Sequence, residues 1–172
     1  MSAPTPIKAR DAHHLSELIA LNIEKHGKHC DLNHIDVSDI TDMSNLFKGS
    51  PFKGDISKWD TSNVTLMEFM FVDSVFNGDI SKWETSQVMD MHSMFYRSEF
   101  NGDISKWDVT RVENMTGMFQ ESRFNGDISS WDVSNVTQMG ALFEDGLFNR
   151  DISKWNTSKV REMFSMFKRS EE

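Results

Sequence analysis

Cysteine and proline are nearly missing from this 172-residue chain, in which Cys30 stands alone beside three prolines. A lone thiol excludes an intramolecular disulfide and any multi-cysteine zinc module, so the folded state has to rest on side-chain burial. No run approaches the roughly 18 consecutive apolar residues of a membrane-spanning helix. The opening residues, Met1-Ser2-Ala3-Pro4-Thr5-Pro6-Ile7-Lys8, lack the apolar stretch of a secretory signal. The expectation is no membrane span and a cytoplasmic location. Positive charge is also scarce: 18 Lys and Arg against 27 Asp and Glu leave a formal charge of −9. That balance argues against direct nucleic-acid binding, because phosphate neutralisation needs clustered cations. Aromatic and sulfur-bearing apolar residues are plentiful, with 13 Phe, 5 Trp and 12 Met, enough for one packed domain at this length.

The tryptophans lie at a constant step of 24, at Trp59, Trp83, Trp107, Trp131 and Trp155. The same step links Phe52 to Phe76, Phe100, Phe124 and Phe148, and Asp55 to Asp79, Asp103, Asp127 and Asp151. It also carries an Ile series from Ile56, a Val series from Val64, a Met series from Met67 and a second Phe series from Phe71. So many positions in one register define a tandem repeat, which has to be settled before any local element. A degenerate copy precedes the five regular ones, with Asp31, Leu32, Ile40, Met43 and Phe47 in register and Ile35 in the tryptophan slot. Residues 8–26 read as an amphipathic capping helix stopped by Gly27. The organisation expected is a tail and cap over 1–30, a degenerate coil over 31–51 and five regular coils over 52–172, all one domain.

Within a unit, Asn-Gly signals a turn and the following Asp-Ile reads as a short extended piece. Val-Thr-x-Met-x-x-Met-Phe places apolar residues at i, i+3, i+6 and i+7, the spacing of a short helix. Thr65 with Glu68 matches a capping box for it. Twenty-four residues are too few for an independent core, so neighbouring coils must stack.

The units FKGDISKWDTSNVTLMEFMF, FNGDISKWETSQVMDMHSMF and FNGDISKWDVTRVENMTGMF resemble the BspA-type leucine-rich-like repeat family, also described as a bacterial surface protein repeat and as a family of unknown function first noted in mycoplasmas. The resemblance covers about residues 31–167. It implies an α/β repeat solenoid, with leucine-rich-repeat-like coils of short parallel strand plus short helix, used for protein contacts and often found at bacterial surfaces. It carries no catalytic residues.

Stacking identical coils makes ladders of identical side chains about 4.7 to 4.9 Å apart. A row of carboxylates at that spacing is tolerable only if solvated or compensated, and the expected compensation for Asp55 to Asp151 is an Asx-type bond to backbone N–H groups. The Trp row is expected to fill one corner of the core rather than form an exposed platform. With the repeated residues used in the fold, function falls to the positions that vary. Phe69, Tyr96 and Phe164 break a polar pattern and, with Arg97, Glu99, Glu121 and Arg123, are the candidate partner-binding residues. His13, His14, His26, His29 and His34 gather near Cys30 but fit no standard zinc spacing, and no catalytic set or cofactor motif is present. The function expected is a non-enzymatic protein-interaction scaffold. The alternatives are an acidic mimic that inhibits a nucleic-acid-handling protein, and a structural or surface protein that self-associates through the C-terminal coil, which the sequence leaves without an evident cap.

Overall fold

A computed structural model of the chain describes residues 5–169. Helix α1 spans Ala12–His26, where the Asp11 Oδ1 accepts the His14 N–H at 2.8 Å and closes the N-terminus. Gly27, at φ 79°, stops it, and its N–H donates back to the Ile23 carbonyl at 2.8 Å. Leu15 and Ile19 are buried beneath the helix, which lies against the degenerate unit at Leu46, Ser50 and Pro51. The helix begins later than residue 8 because Ile7–Lys8 is taken up by a strand, β1. This strand pairs in parallel with β2, Ile35–Asp36, in the register Ile7 to Ile35.

The short helix expected in each unit does not form: among the described residues α1 is the one α-helix. The expected strand at Asp-Ile is likewise replaced by a tight turn, in which each Trp N–H donates to the Ile carbonyl three residues back, at 3.0 to 3.3 Å from Trp59 to Trp155. Pairing between units occurs instead at single parallel bridges that repeat every 24 residues, running Asp42, Leu66, Asp90, Asn114, Gln138, Glu162. A further bridge joins Asp31 to Asp55.

The segment read as a helix is a run of consecutive turns whose backbone groups are shared in alternation. Met67, Phe69, Phe71 and Asp73 donate their N–H groups to the Asp90, His92, Met94 and Tyr96 carbonyls of the next unit, at 2.8 to 3.0 Å. The intervening Met70, Val72 and Ser74 donate to carbonyls three residues back in their own unit, at 3.2 to 3.4 Å. The pattern recurs from Met43 to Asp145. Each unit therefore satisfies half of this stretch locally and half through its neighbour, so a unit alone would leave a row of donors without acceptors. Thr65 follows the same logic. Its hydroxyl and N–H both donate to the Thr41 carbonyl, at 3.2 and 2.8 Å, so it ties two units together instead of capping a helix.

Inside the stack, side chains form continuous columns. Phe47, Phe71, Phe95, Phe119, Phe143 and Phe167 stack with centroids 5.4 to 5.9 Å apart. Phe52, Phe76, Phe100, Phe124 and Phe148 form a second column at 5.9 to 6.4 Å. Trp59, Trp83 and Trp107 stack nearly parallel, at 6.3 and 6.4 Å. These are offset stacks, in the range aromatic rings prefer. Met67, Met91, Met115 and Met139 are fully buried beside them, with Val and Ile from the first four regular units, whereas Ile152 and Val160 of the last are half-buried.

Candidate protein-contact ridge

All five Trp rings are buried, and each indole Nε1–H donates to the carbonyl of the residue at the Ile position one unit earlier, at 3.0 to 3.1 Å. The row therefore presents no aromatic platform. The Asp55, Asp79, Asp103, Asp127 and Asp151 side chains are exposed. Each Oδ1 accepts the N–H of the Ser two residues on, at 2.8 to 3.0 Å. Those bonds from the Ser N–H and hydroxyl hold all five carboxyls below the usual carboxylate range. Asp36, Asp60 and Asp132 make a second such series, lowered chiefly by the Ser hydroxyl two residues on.

A carboxyl whose folded pKa lies below its unfolded value of 3.8 adds stability above that pH and loses it as pH falls through the folded pKa. Acid unfolding is therefore expected to begin below about pH 4. Replacing Asp79 and Asp103 together by Asn should flatten the pH dependence of the urea midpoint there, and an unchanged slope would show that the carboxylates are merely solvated.

Phe69, Tyr96, Arg97, Glu121 and Phe164 lie on the turn runs, which the inter-unit bonds align into one ridge, and Glu99 and Arg123 lie two residues beyond them. Tyr96, Arg97 and Glu121 meet. The Tyr96 hydroxyl donates to the Glu121 Oε1 at 3.1 Å and the Arg97 Nε to its Oε2 at 2.8 Å, while the guanidinium sits 5.0 Å over the Tyr96 ring. Burial, then Glu121, raises the Tyr96 phenol, so it remains a neutral donor. Arg123 pairs with Glu99 at 3.1 Å. Phe69 is set apart from both pairs: half-buried, 4.8 Å from the His92 ring, with the Lys48 Nζ 5.7 Å over its face. Phe164 sits in the last unit, 61% exposed, its ring over Gly140. The structure thus brings together Tyr96, Arg97 and Glu121, and separately Arg123 with Glu99, but it makes no contiguous patch of Phe69, Tyr96 and Phe164.

Backbone geometry adds what side-chain type did not reveal. Phe69, Asp73, Arg97, Glu121 and Asp145 all hold φ between 52° and 57°, the left-handed region that bulky residues avoid. Equivalent positions in the degenerate unit carry Asn45 and Gly49, residues suited to it. That pair was the available sequence signal for turns instead of a helix. Beside Phe69, Glu68 is pushed above the usual carboxylate range by burial and then by the nearby Asp90 and Asp42 charges.

A groove of about 620 Å³ runs between β1, α1 and the degenerate unit, lined by Ile7, Leu18, Leu21, Cys30 and His34 among others. Cys30 is buried, and that burial raises its thiol, so it is poorly placed as a nucleophile. Among the described residues no group of three His, Cys, Asp or Glu side chains could hold a metal ion, and no helix is long and apolar enough to cross a membrane.

A stack of 24-residue units, cored by aromatic columns, is a tandem-repeat protein. The chain belongs to the family described as Mycoplasma protein of unknown function, DUF285, whose model matches residues 17–123 and again 97–172. No curated protein and no solved structure matches the chain.

Proposed function

We propose that the chain is a short BspA-type repeat solenoid that acts as a non-enzymatic protein-contact scaffold, with its partner docking on the turn ridge. The observation that carries this reading is Phe69, a half-exposed ring held at φ 57° where other units place Asn45, Ser93 or Gly117. The left-handed φ recurs at this position in every unit, but a bulky residue there costs on the order of 1 to 3 kcal/mol, and a strained residue kept at the surface supports a functional reading. Elsewhere on the ridge Tyr96, Arg97 and Glu121 are already tied in place, so a partner meeting them would order few side chains on binding. Tyr and Arg are the residue types that most often anchor an interface. Phosphate mimicry by the Asp rows has less support, because each carboxylate in the Asp55 to Asp151 row already accepts a Ser N–H.

Affinity capture from the native cell, repeated with Phe69→Ser and Tyr96→Ala combined, tests the reading. The captured partner should bind the variant about tenfold to a hundredfold more weakly, as expected for two interface anchors. A partner held equally well by both forms would place the contact elsewhere.

A further inference from the structure

The same six residues, Phe-Asn-Gly-Asp-Ile-Ser, open three consecutive units at 76–81, 100–105 and 124–129. An asparagine followed by glycine can cyclise on itself, because no Cβ shields the glycine nitrogen from the asparagine Cγ. Among the described residues nothing holds that nitrogen back: the Gly78, Gly102 and Gly126 N–H groups donate to no acceptor. The first regular unit has Lys53 in place of the asparagine and the last has Arg150 in place of the glycine, so neither offers the pair.

The stack treats the three asparagines differently. The Asn77 and Asn101 Oδ1 atoms accept the backbone N–H of Asn101 and Asn125 respectively, each at 2.8 Å, while their Nδ2 groups donate to nothing among the described residues. A fixed donor on Oδ1 sits where negative charge gathers as the glycine nitrogen adds to Cγ, the arrangement that stabilises an oxyanion. Oδ1 stays on Cγ throughout, so that bond survives ring closure. Asn125 is held at the groups that must move. Its Nδ2, the leaving group, donates to the Asn149 Oδ1 at 2.9 Å, and its backbone carbonyl accepts the Arg150 Nε at 3.0 Å. The donor on its own Oδ1, the Asn149 N–H, is longer at 3.2 Å. Asn125 is also half-buried, where Asn77 and Asn101 are exposed.

We propose that Asn77 and Asn101 are self-modifying sites at which the folded chain converts its own amide into a carboxylate. The Gly78 or Gly102 nitrogen bonds to Cγ and gives up its proton, the Cγ–Nδ2 bond breaks, and ammonia leaves with that proton, closing a succinimide. Water then opens the ring at the Cγ–N bond to give aspartate, or at the original peptide bond to give isoaspartate. Aspartate at 77 keeps an acceptor for the Asn101 N–H, now charge-assisted, and adds charge two residues before Asp79. Isoaspartate lengthens the main chain by one methylene between Gly78 and Phe76, whose ring is stacked between Phe52 and Phe100, so this product displaces one or the other.

The test incubates the full chain at mildly alkaline pH, folded and in guanidinium, and follows each site by peptide mapping through the mass gained when –NH2 becomes –OH. Each folded rate is divided by the rate of the same site in guanidinium, which removes the effect of flanking residues. The normalised rates at Asn77 and Asn101 should exceed that at Asn125 at least about tenfold, the effect of two hydrogen bonds that must break first. Asn149→Ala with Arg150→Ala, both at exposed positions, should bring Asn125 to within about threefold of Asn101 and leave Asn77 unchanged. Conversion of Asn77 and Asn101 no faster than Asn125, no conversion of either in the folded chain while the unfolded chain converts, or an Asn125 rate indifferent to the double substitution would overturn the proposal.

Discussion

Phe95→Ala is expected to destabilise the chain by about 3 to 5 kcal/mol, the range for emptying a well-packed aromatic site. The ring is fully buried, with Phe71 at 5.4 Å, Phe119 at 5.7 Å and Phe100 at 4.5 Å from its centroid. Rings on both sides are held in their own stacks and cannot collapse into the space left behind. In a chain of this size the loss corresponds to a fall in Tm of roughly 10 °C. Phe167→Ala removes the same side chain from the same column, but its ring is 50% exposed with a described neighbour, Phe143, on one side only. Its cost should stay near 1 kcal/mol, because about half of the transfer term and most of the cavity term are absent. Urea unfolding of the two variants side by side is the check. Equal costs would mean that the column does not stack as described.

The second large effect comes from adding a single carbon. A Cβ at Gly102 would stand 2.8 Å from Cε2 and 2.9 Å from Cζ of Phe100, closer than side-chain carbons pack. The Phe100 ring has Phe76 and Phe124 at 6.4 Å on either side and Phe95 at 4.5 Å, so it has nowhere to go. Gly102→Ala should therefore cost about 1 to 3 kcal/mol by overpacking. Adding Phe100→Leu should recover part of that cost, giving a coupling between the sites that independent positions would not show. The last unit carries Arg150 in place of this glycine, its Nε donating to the Asn125 carbonyl at 3.0 Å. No described ring stacks on Phe148 from beyond, so the neighbouring ring there is less confined. Additive effects of the two substitutions would locate the strain in the backbone instead.

The contrast between these positions explains what could be read from the residues alone. The 24-residue step, the Trp, Phe and Asp rows and the stop at Gly27 were legible because each is a matter of side-chain identity at a fixed spacing. The turn run was not. Val64, Met67, Met70 and Phe71 satisfy the spacing of a helical face and are buried, yet every second N–H of the turn run donates to the next unit instead of closing a helical turn. Periodicity reports which residues face inward and is silent on where backbone donors go. β1 is illegible in the sequence for a simpler reason: two residues, Ile7 and Lys8, carry no alternation. At the ridge, Tyr96, Arg97 and Glu121 stood out by type, but their joining across 24 residues required the register between units. The strain at Phe69 is a property of φ and leaves no mark on composition.

The stack depends on the alternation of backbone bonds within and between units, and amide hydrogen exchange reads it residue by residue. The Phe71, Phe95 and Phe119 amides, which donate across units at 2.8 to 3.0 Å, should be among the slowest in the chain. The Met163, Ser165 and Phe167 amides, at equivalent positions with no described acceptor, should exchange near the rate of an unprotected peptide. Protection at Phe167 equal to that at Phe95, or exchange as fast at Phe95 as at Phe167, would contradict the stacked arrangement itself.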